Sequence, residues 1–590
     1  MLVDGWGLII FLRKVEFKID FFLFAKLHFE NKMQSIEKWI DLDHRKTLRI
    51  EVLVTEWKRI VFLFFFYLTG VMFVPNLLSL LLHTVHFILR PIYALIYIRK
   101  QPKIPPVKNP LLKISASNLA KKIRDGEISS QSVVEAYVER IKEVNPFLNA
   151  VVEDRFVAAI NEAKMCDAKL KTGEATAISL EKEKPLFGVP ITVKESCSLK
   201  GMSFTGGHVP REGVKASEDG LATEVLRNSG AIPLCVTNTP ELCSGLHATN
   251  FLFGTTRNPY DTRKSPGGSS GGEGALIGAG ASVLGIGSDF IGSIRIPCLF
   301  NGIFGHKPTP GIVPTKGHLP MSNDPVFQKL LVCGPMARYA EDLHLAMKLL
   351  SSGCDTPLRL DEPVDVKTLR VFYLDTVNTL CGTKSTTSDI RRAIKEATHY
   401  FAENGAHVEH VSQDWLSDIF TFVLALCGEI ELPDEYSDAK HPEDKKNGLV
   451  ELIKSTFGLS TYTSQFALIR AVTQMHGFVP VSKFEHFKTL REDMRVRFNN
   501  LLGSDGVFIC PTFAQTTTYP GLMFFKIDCS IYTAFSNIMH LPSTHVPMGL
   551  NSDGVPIGFQ VMAGSHQDRL CLAVARELEK AFGGWVPPLS

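Results

Sequence analysis

The chain has 590 residues, 45% of them hydrophobic, with 63 Lys and Arg against 61 Asp and Glu. That length supports one large enzyme domain plus appendages, and a net charge of +2 gives no electrostatic footprint for nucleic acid as a partner. The 12 cysteines are scattered without Cys-x-x-Cys or Cys/His ligand spacing, so they read as reduced thiols and imply no metal.

Residues 1–58 form an extension of mixed charge with short aromatic patches such as Phe21, Phe22 and Phe24, and they carry no functional reading. From 60 to 89 there is no acidic or basic residue apart from His83 and His86, and 60–82 is apolar enough to span a bilayer as a helix. Residues 59–90 are therefore expected to be a transmembrane anchor, kinked at Pro75. Lys58 and Arg59 flank one end and Arg90, Arg99 and Lys100 the other, which leaves the orientation open. The apolar run begins too late for a cleaved signal peptide, and Asp4 stands where a positive n-region belongs. The expectation is a single-pass membrane protein of endomembranes or the lipid-droplet surface rather than a secreted one.

Residues 91–110 are basic and proline-rich and read as an extended tether, with the catalytic domain occupying 111–590. Two helices are predicted over 115–144. Ser115 and Ser117 are candidate N-caps, Gly126 ends the first helix, and Ser129 and Ser130 start the second. Val133, Val134, Tyr137, Ile141 and Val144 make one apolar face of that second helix. Short β-rich segments at 189–193, 232–236 and 506–510 alternate with helical stretches, which argues an α/β fold with a mixed central sheet covered by helices.

The chemistry concentrates in three blocks: Thr192-Val193-Lys194-Glu195, Ser265-Pro266-Gly267-Gly268-Ser269-Ser270-Gly271-Gly272-Glu273 and Gly292-Ser293-Ile294-Arg295. Glycine lets the main chain approach a reacting carbonyl with its N–H groups, and the hydroxyls and amine then become candidate chemistry for a serine hydrolase that uses no histidine. A Gly/Ser run alone is more often a flexible loop. Here it is followed by small apolar residues over 275–287 that suit tight packing better than a solvated linker. No Gly-x-x-x-x-Gly-Lys-Ser/Thr loop is present, 285–290 lacks the third glycine of a dinucleotide fingerprint, and Ser293 is not in Gly-x-Ser-x-Gly.

The order of these three blocks resembles the amidase signature family, from about residue 111 to the end, including 145–150 and 553–561. Within the family the chain is most similar to the fatty-acid amide hydrolases with an N-terminal membrane segment. The resemblance implies an amidase-signature fold, Ser293 as nucleophile, Ser269 as a relaying serine in a cis peptide, and Lys194 as base. It implies Ser270 as a support for Lys194, Asp289 and Arg295 as structural residues, and the backbone N–H groups of Phe290, Ile291, Gly292 and Ser293 as oxyanion donors. A lipid amide substrate, a membrane, no cofactor and room for a homodimer come with it. A cap over 457–470 that meets the membrane would use Phe466, Leu468 and Ile469, and ordinary core packing of the same side chains is the alternative.

A lysine base must be neutral, whereas a free lysine titrates near ~10.4, so its surroundings must disfavour the ammonium. Glu195 is adjacent in sequence, but neighbours on an extended strand point to opposite faces. The departure from the family is Ile291, where glycine is usual. A β-branched residue disfavours φ > 0, which predicts a misaimed donor and weakened or shifted hydrolysis. The alternative reading is therefore a catalytically impaired relative that binds acyl lipids. A glutaminyl-tRNA amidotransferase subunit shares the signature, but an anchor has no place in it.

Overall fold

The protein is described by a computed structural model over residues 75–97, 102–377, 385–431, 433 and 446–588. All of these fall in the second of two units, Met1–Phe64 and Phe65–Ser590. Residues 59–74 of the expected anchor, and the whole 1–58 extension, lie outside the described residues.

Of the remainder, residues 75–90 are described, and they are helical. Pro75 is the first described residue of helix α1 (Pro75–Ile96), a position where its missing N–H has no partner to lose. Among the described residues no helix is long and apolar enough to cross a membrane. Helix α1 gives one side to the catalytic body. Val85 and Leu89 are buried, and the Tyr97 ring stacks on Tyr519 with centroids 5.2 Å apart. A side chain at Gly521 would put its Cβ 2.2 Å from the Tyr93 hydroxyl, so glycine is what lets α1 seat there. The tether is also docked. Residues 102–109 carry no regular secondary structure, yet Ile104 and Val107 are buried in the main core. Their three-residue spacing is the repeat of a polyproline II helix, which puts both on one side.

The two predicted helices are present as α2 (Ala116–Arg124) and α3 (Ser130–Leu148). Ser115 caps α2, its hydroxyl accepting from the Asn118 N–H at 3.2 Å, whereas Ser117 donates its hydroxyl to Asp342 Oδ1 at 2.9 Å. Gly126 closes α2 at φ +73°, and Ser129 caps α3 by accepting from the Ser132 N–H. Val133, Val134, Tyr137, Ile141 and Val144 all face the core.

Eleven strands form one sheet: β1 Val151–Asp154, β2 Pro190–Lys194, β3 Ile232–Thr237, β4 Leu284–Asp289, β5 Phe304–Lys307, β6 Val332–Ala337, β7 Arg370–Tyr373, β8 His407–His410, β9 Gly506–Pro511, β10 Ser543–Leu550 and β11 Pro556–Ala563. Their spatial order is β1-β3-β2-β4-β6-β5-β10-β11-β9-β7-β8. β3, β2 and β4 are parallel, as are β9, β7 and β8, and the other pairs are antiparallel. The α/β expectation of a mixed sheet flanked by helices is thus what the chain adopts. β2, β3, β4 and β6 are buried throughout, as strands covered on both faces must be.

Four further helices bear on the site: α4 (Gly271–Gly278), α5 (Arg295–Asn301), α6 (Ile419–Glu429) and α7 (Ser464–Gln474). Helix α8 (Ile531–Ile538) backs the loop after β4. The expected cap residue Phe466 lies on α7 but is fully buried, edge-on to Tyr462 at 5.0 Å and to His208 at 5.5 Å. Leu468 and Ile469 are half-buried, and the outermost apolar side chain of that region is Leu459. The apolar face of α7 is therefore core.

Candidate active site

Lys194 ends β2 and is wholly buried. Its Nζ lies 2.6 Å from Ser269 Oγ and 2.9 Å from Ser288 Oγ, and among the described residues it makes no ion pair. Glu195 faces away, as strand alternation requires. Its carboxylate accepts from the Thr205 N–H at 2.6 Å and hydroxyl at 2.7 Å, the Gly206 N–H at 2.8 Å and the Ser203 hydroxyl at 2.9 Å. The adjacent acid is thus fully engaged in folding the 203–206 turn.

The Ser269 side comes from the Gly/Ser block, which enters α4. The Gly268–Ser269 bond is cis. A Cβ on Gly268 would sit 2.5 Å from the Gly245 carbonyl, so the block is glycine-rich because two stretches of main chain meet there. Glu273, in the first turn of α4, reaches under β2. Its oxygens accept from the Thr192 hydroxyl at 2.6 Å and the Thr237 hydroxyl at 2.8 Å. Burial pushes this carboxyl up to about 7, against the pull of those two hydroxyls and Lys194.

β4 delivers the other half. At its end Ser288 and Asp289 point to opposite sides. Ser288 reaches Lys194, and Asp289 accepts from Arg295 Nε at 3.1 Å and from its terminal nitrogen at 2.9 Å. Burial alone would raise Asp289, but the Arg295 charge and hydrogen bonds outweigh it and hold the carboxyl at about 2. Arg295 also donates to Ser536, Gln560 and Asn537, so the nucleophile loop is bolted to α8 and β11.

Ser293 is half-buried between that loop and α5, and its carbonyl accepts the Ser270 N–H at 3.1 Å, which brings the two serine blocks together. Among the described residues the N–H groups of Phe290, Ile291 and Ser293 have no protein acceptor. The Gly292 N–H does have one, donating to Asp289 Oδ1 at 2.7 Å, so it is not an open donor. The glycine requirement also falls on Gly292, with φ +118° and a Cβ that would meet Thr533 Oγ1 at 2.4 Å. Ile291 is absent from the residues with positive φ, so its β-branched side chain strains nothing. That side chain joins Phe290, Val423, Leu426 and Ile538 around an apolar recess of ≈ 20 Å³.

Two residues were missed by sequence reasoning. Ser270 was expected to hold Lys194, but its hydroxyl instead donates to the Ser288 carbonyl at 3.3 Å, and the hydroxyl beside the amine is that of Ser288. Behind Ser288 stands His318, fully in the wall, with Nε2 2.8 Å from Ser288 Oγ and Nδ1 2.9 Å from the Pro320 carbonyl. Burial opposes a charge on this ring, and hydrogen bonding with Cys243 together with the charges of Cys197 and Cys243 more than offsets it and raises His318 above its ordinary value. No local motif marks either residue, since Lys194 and Ser288 are 94 positions apart.

A mixed sheet that buries a lysine against serine hydroxyls, with a bolted loop offering backbone N–H groups, defines a serine amidase. The Amidase family matches residues 132–572, and the chain belongs to that family. It is 43% identical over 511 residues to fatty-acid amide hydrolase 2-B of Danio rerio, covering 83% of this chain and 93% of that one. It is 38% identical to fatty-acid amide hydrolase 2 of Homo sapiens, over 82% of this chain and 92% of the relative. Among solved structures, a fatty acid amide hydrolase superposes with a TM-score of 0.66 at 23% identity, covering 81% of this chain and 87% of that one, which speaks to the fold.

Proposed function

We propose that the protein hydrolyses long-chain fatty-acid amides to free fatty acid and amine through an acyl-enzyme. The observation that carries this is the contact of 2.6 Å between Lys194 Nζ and Ser269 Oγ in a site whose relatives are fatty-acid amide hydrolases. Neutral Lys194 takes the Ser269 hydroxyl proton while Ser269 takes that of Ser293, and Ser293 Oγ bonds to the substrate carbonyl carbon. The oxyanion that forms is met by the open N–H groups of Phe290, Ile291 and Ser293. The C–N bond then breaks, the proton returns along the same path to the leaving amine, and water cleaves the ester. The apolar side chains of Phe290, Ile291, Val423, Leu426 and Ile538 beside the nucleophile loop support a substrate with a hydrocarbon arm. The impaired-relative alternative loses its basis, because Ile291 leaves its N–H open without positive φ.

The reading includes action at a membrane, at endomembranes or the lipid-droplet surface. It is supported by the apolar run over 60–82 and by Phe87, Leu95 and Ile96, which α1 leaves exposed. The test is labelling by a fluorophosphonate probe and steady turnover of a long-chain amide. Both are expected in the parent chain, and Ser293→Ala and Lys194→Ala are expected to lower turnover by about 10³-fold or more. Labelling of Ser293→Ala at the parent rate would refute the assignment.

A further inference from the structure

The two ring nitrogens of His318 have unlike partners, and this gives the hydrogen bonds around Lys194 a direction. The Pro320 carbonyl, 2.9 Å from Nδ1, can only accept, so Nδ1 carries a proton. In the neutral ring Nε2 is then an acceptor, and the donor 2.8 Å away is the Ser288 hydroxyl. With its proton turned to the ring, Ser288 Oγ presents lone pairs to Lys194 Nζ at 2.9 Å. Lys194 meets it with an N–H, which leaves the amine lone pair to face Ser269 Oγ at 2.6 Å.

We propose that His318 is a positioning residue for the general base: acting through Ser288, it fixes which way the Lys194 amine points. The inference rests on the reading of Lys194 as base. The ring is held in register with that lysine by the main chain, since the Ser198 N–H donates to the Gly317 carbonyl at 2.9 Å and the Leu319 N–H to the Ser196 carbonyl at 2.8 Å. Both anchors lie on the turn that leaves Lys194.

A protonated ring reverses the chain. Nε2–H would then donate to Ser288 Oγ, two donors would face one oxygen, and the Ser288 proton would turn toward the amine and compete with Ser269 for its lone pair. The groups facing His318 are Lys194 from β2, Ser196 and Cys197 from the turn after it, Cys243 from the 241–243 turn and Ser288 from β4, with Cys333 of β6 behind Cys197. No carboxylate pairs with the ring among the described residues. Protonation of His318 therefore adds its own component to the acid limb that protonation of Lys194 imposes on a lysine base, and the neighbouring Cys243 and Cys197 thiols raise that component above the ordinary imidazole value.

His318→Ala is expected to lower kcat and the rate of Ser293 labelling by a fluorophosphonate about tenfold, with KM unchanged. In His318→Gln the amide oxygen accepts from Ser288 as Nε2 does, so most of the rate returns while the His318 component of the acid limb disappears and only that of Lys194 is left. Ser288→Ala costs as much as His318→Ala, and the double variant no more than either, because both act on one amine. Cys243→Ala shifts the acid limb to lower pH. Parent-like labelling with an unchanged acid limb in folded His318→Ala overturns the inference, as do additive losses in the double variant. Where His318→Ala does not fold, an acid limb in His318→Gln at the same pH and of the same shape as the parent's overturns it. Labelling that depends on Lys194 but not on His318 defeats this inference alone, whereas an unlabelled parent chain defeats the nucleophile assignment with it.

Discussion

Asp289 and Glu273 are both fully buried, and each adjoins the catalytic groups, yet they are held in opposite states. Asp289 follows Ser288 on β4 and is kept ionised by Arg295, at about 2. Glu273 touches Thr192, two residues before Lys194, and with only hydroxyls as direct partners it is pushed up to about 7. The Asp289 side uses full charges to fix a loop that must not move. The Lys194 side is built from hydroxyls, an amine and an imidazole, groups that can pass protons without first breaking an ion pair. Strand alternation at the end of β4 is what separates the two sides.

Arg295→Met is the severest way to break this contrast. It strands the Asp289 charge in the interior and should cost about 3–5 kcal/mol in denaturant unfolding. Stability close to the parent would show that the pair is not what bolts the loop. The pH dependence follows with a definite sign. Because the folded carboxyl is depressed to about 2, the stability from Asp289 is complete above its unfolded value near ~3.9 and is lost as pH falls through about 2.

Glu273→Gln sharpens the other side. A carboxyl raised to about 7 contributes stability that is complete below its unfolded value near ~4.3 and is lost as pH rises through about 7. The glutamine variant should therefore melt with a flatter pH profile across that window and gain on the parent above it. An identical slope in both proteins would mean that Glu273 is ionised like Asp289. The smallest effect belongs to Ile291→Gly. The backbone there needs no glycine, so kcat on a long-chain amide should stay within about threefold, while lost packing against Val423 and Leu426 costs about 1–2 kcal/mol in thermal unfolding. A large gain in turnover would restore the idea of a misaimed donor.

What the sequence made legible was local. Ser269, Ser270 and Ser293 stand in short glycine-containing blocks and Lys194 in the short block Thr192-Val193-Lys194-Glu195, and the helices over 115–148 announce themselves by serine caps and a 3.6-residue apolar rhythm. The mixed sheet followed from alternating β-rich and helical segments. Ser288 and His318 were hidden because each reaches Lys194 through the tertiary structure alone, one by the pairing of β2 with β4 and the other by a turn hydrogen-bonded across to 196–198. The place of Phe466, cap or core, stayed open for a related reason. Periodicity shows that α7 has an apolar face, but it does not say whether that face meets lipid or Tyr462 and His208.

The seating of α1 bears on how the enzyme can be handled. Tyr519, on which Tyr97 stacks, leads into the 3-10 stretch Pro520–Ser530, and that stretch runs straight into α8. Thr533 of α8 donates its hydroxyl to the Ile291 carbonyl at 2.9 Å, beside the open N–H groups. A shortened version that starts at residue 111 would strip Ile104 and Val107 from the core and bare the surface beneath Tyr93 and Tyr97, one helix away from the nucleophile. A chain trimmed there for ease of purification would be a different enzyme, and a cut placed before Pro75 keeps the clasp whole.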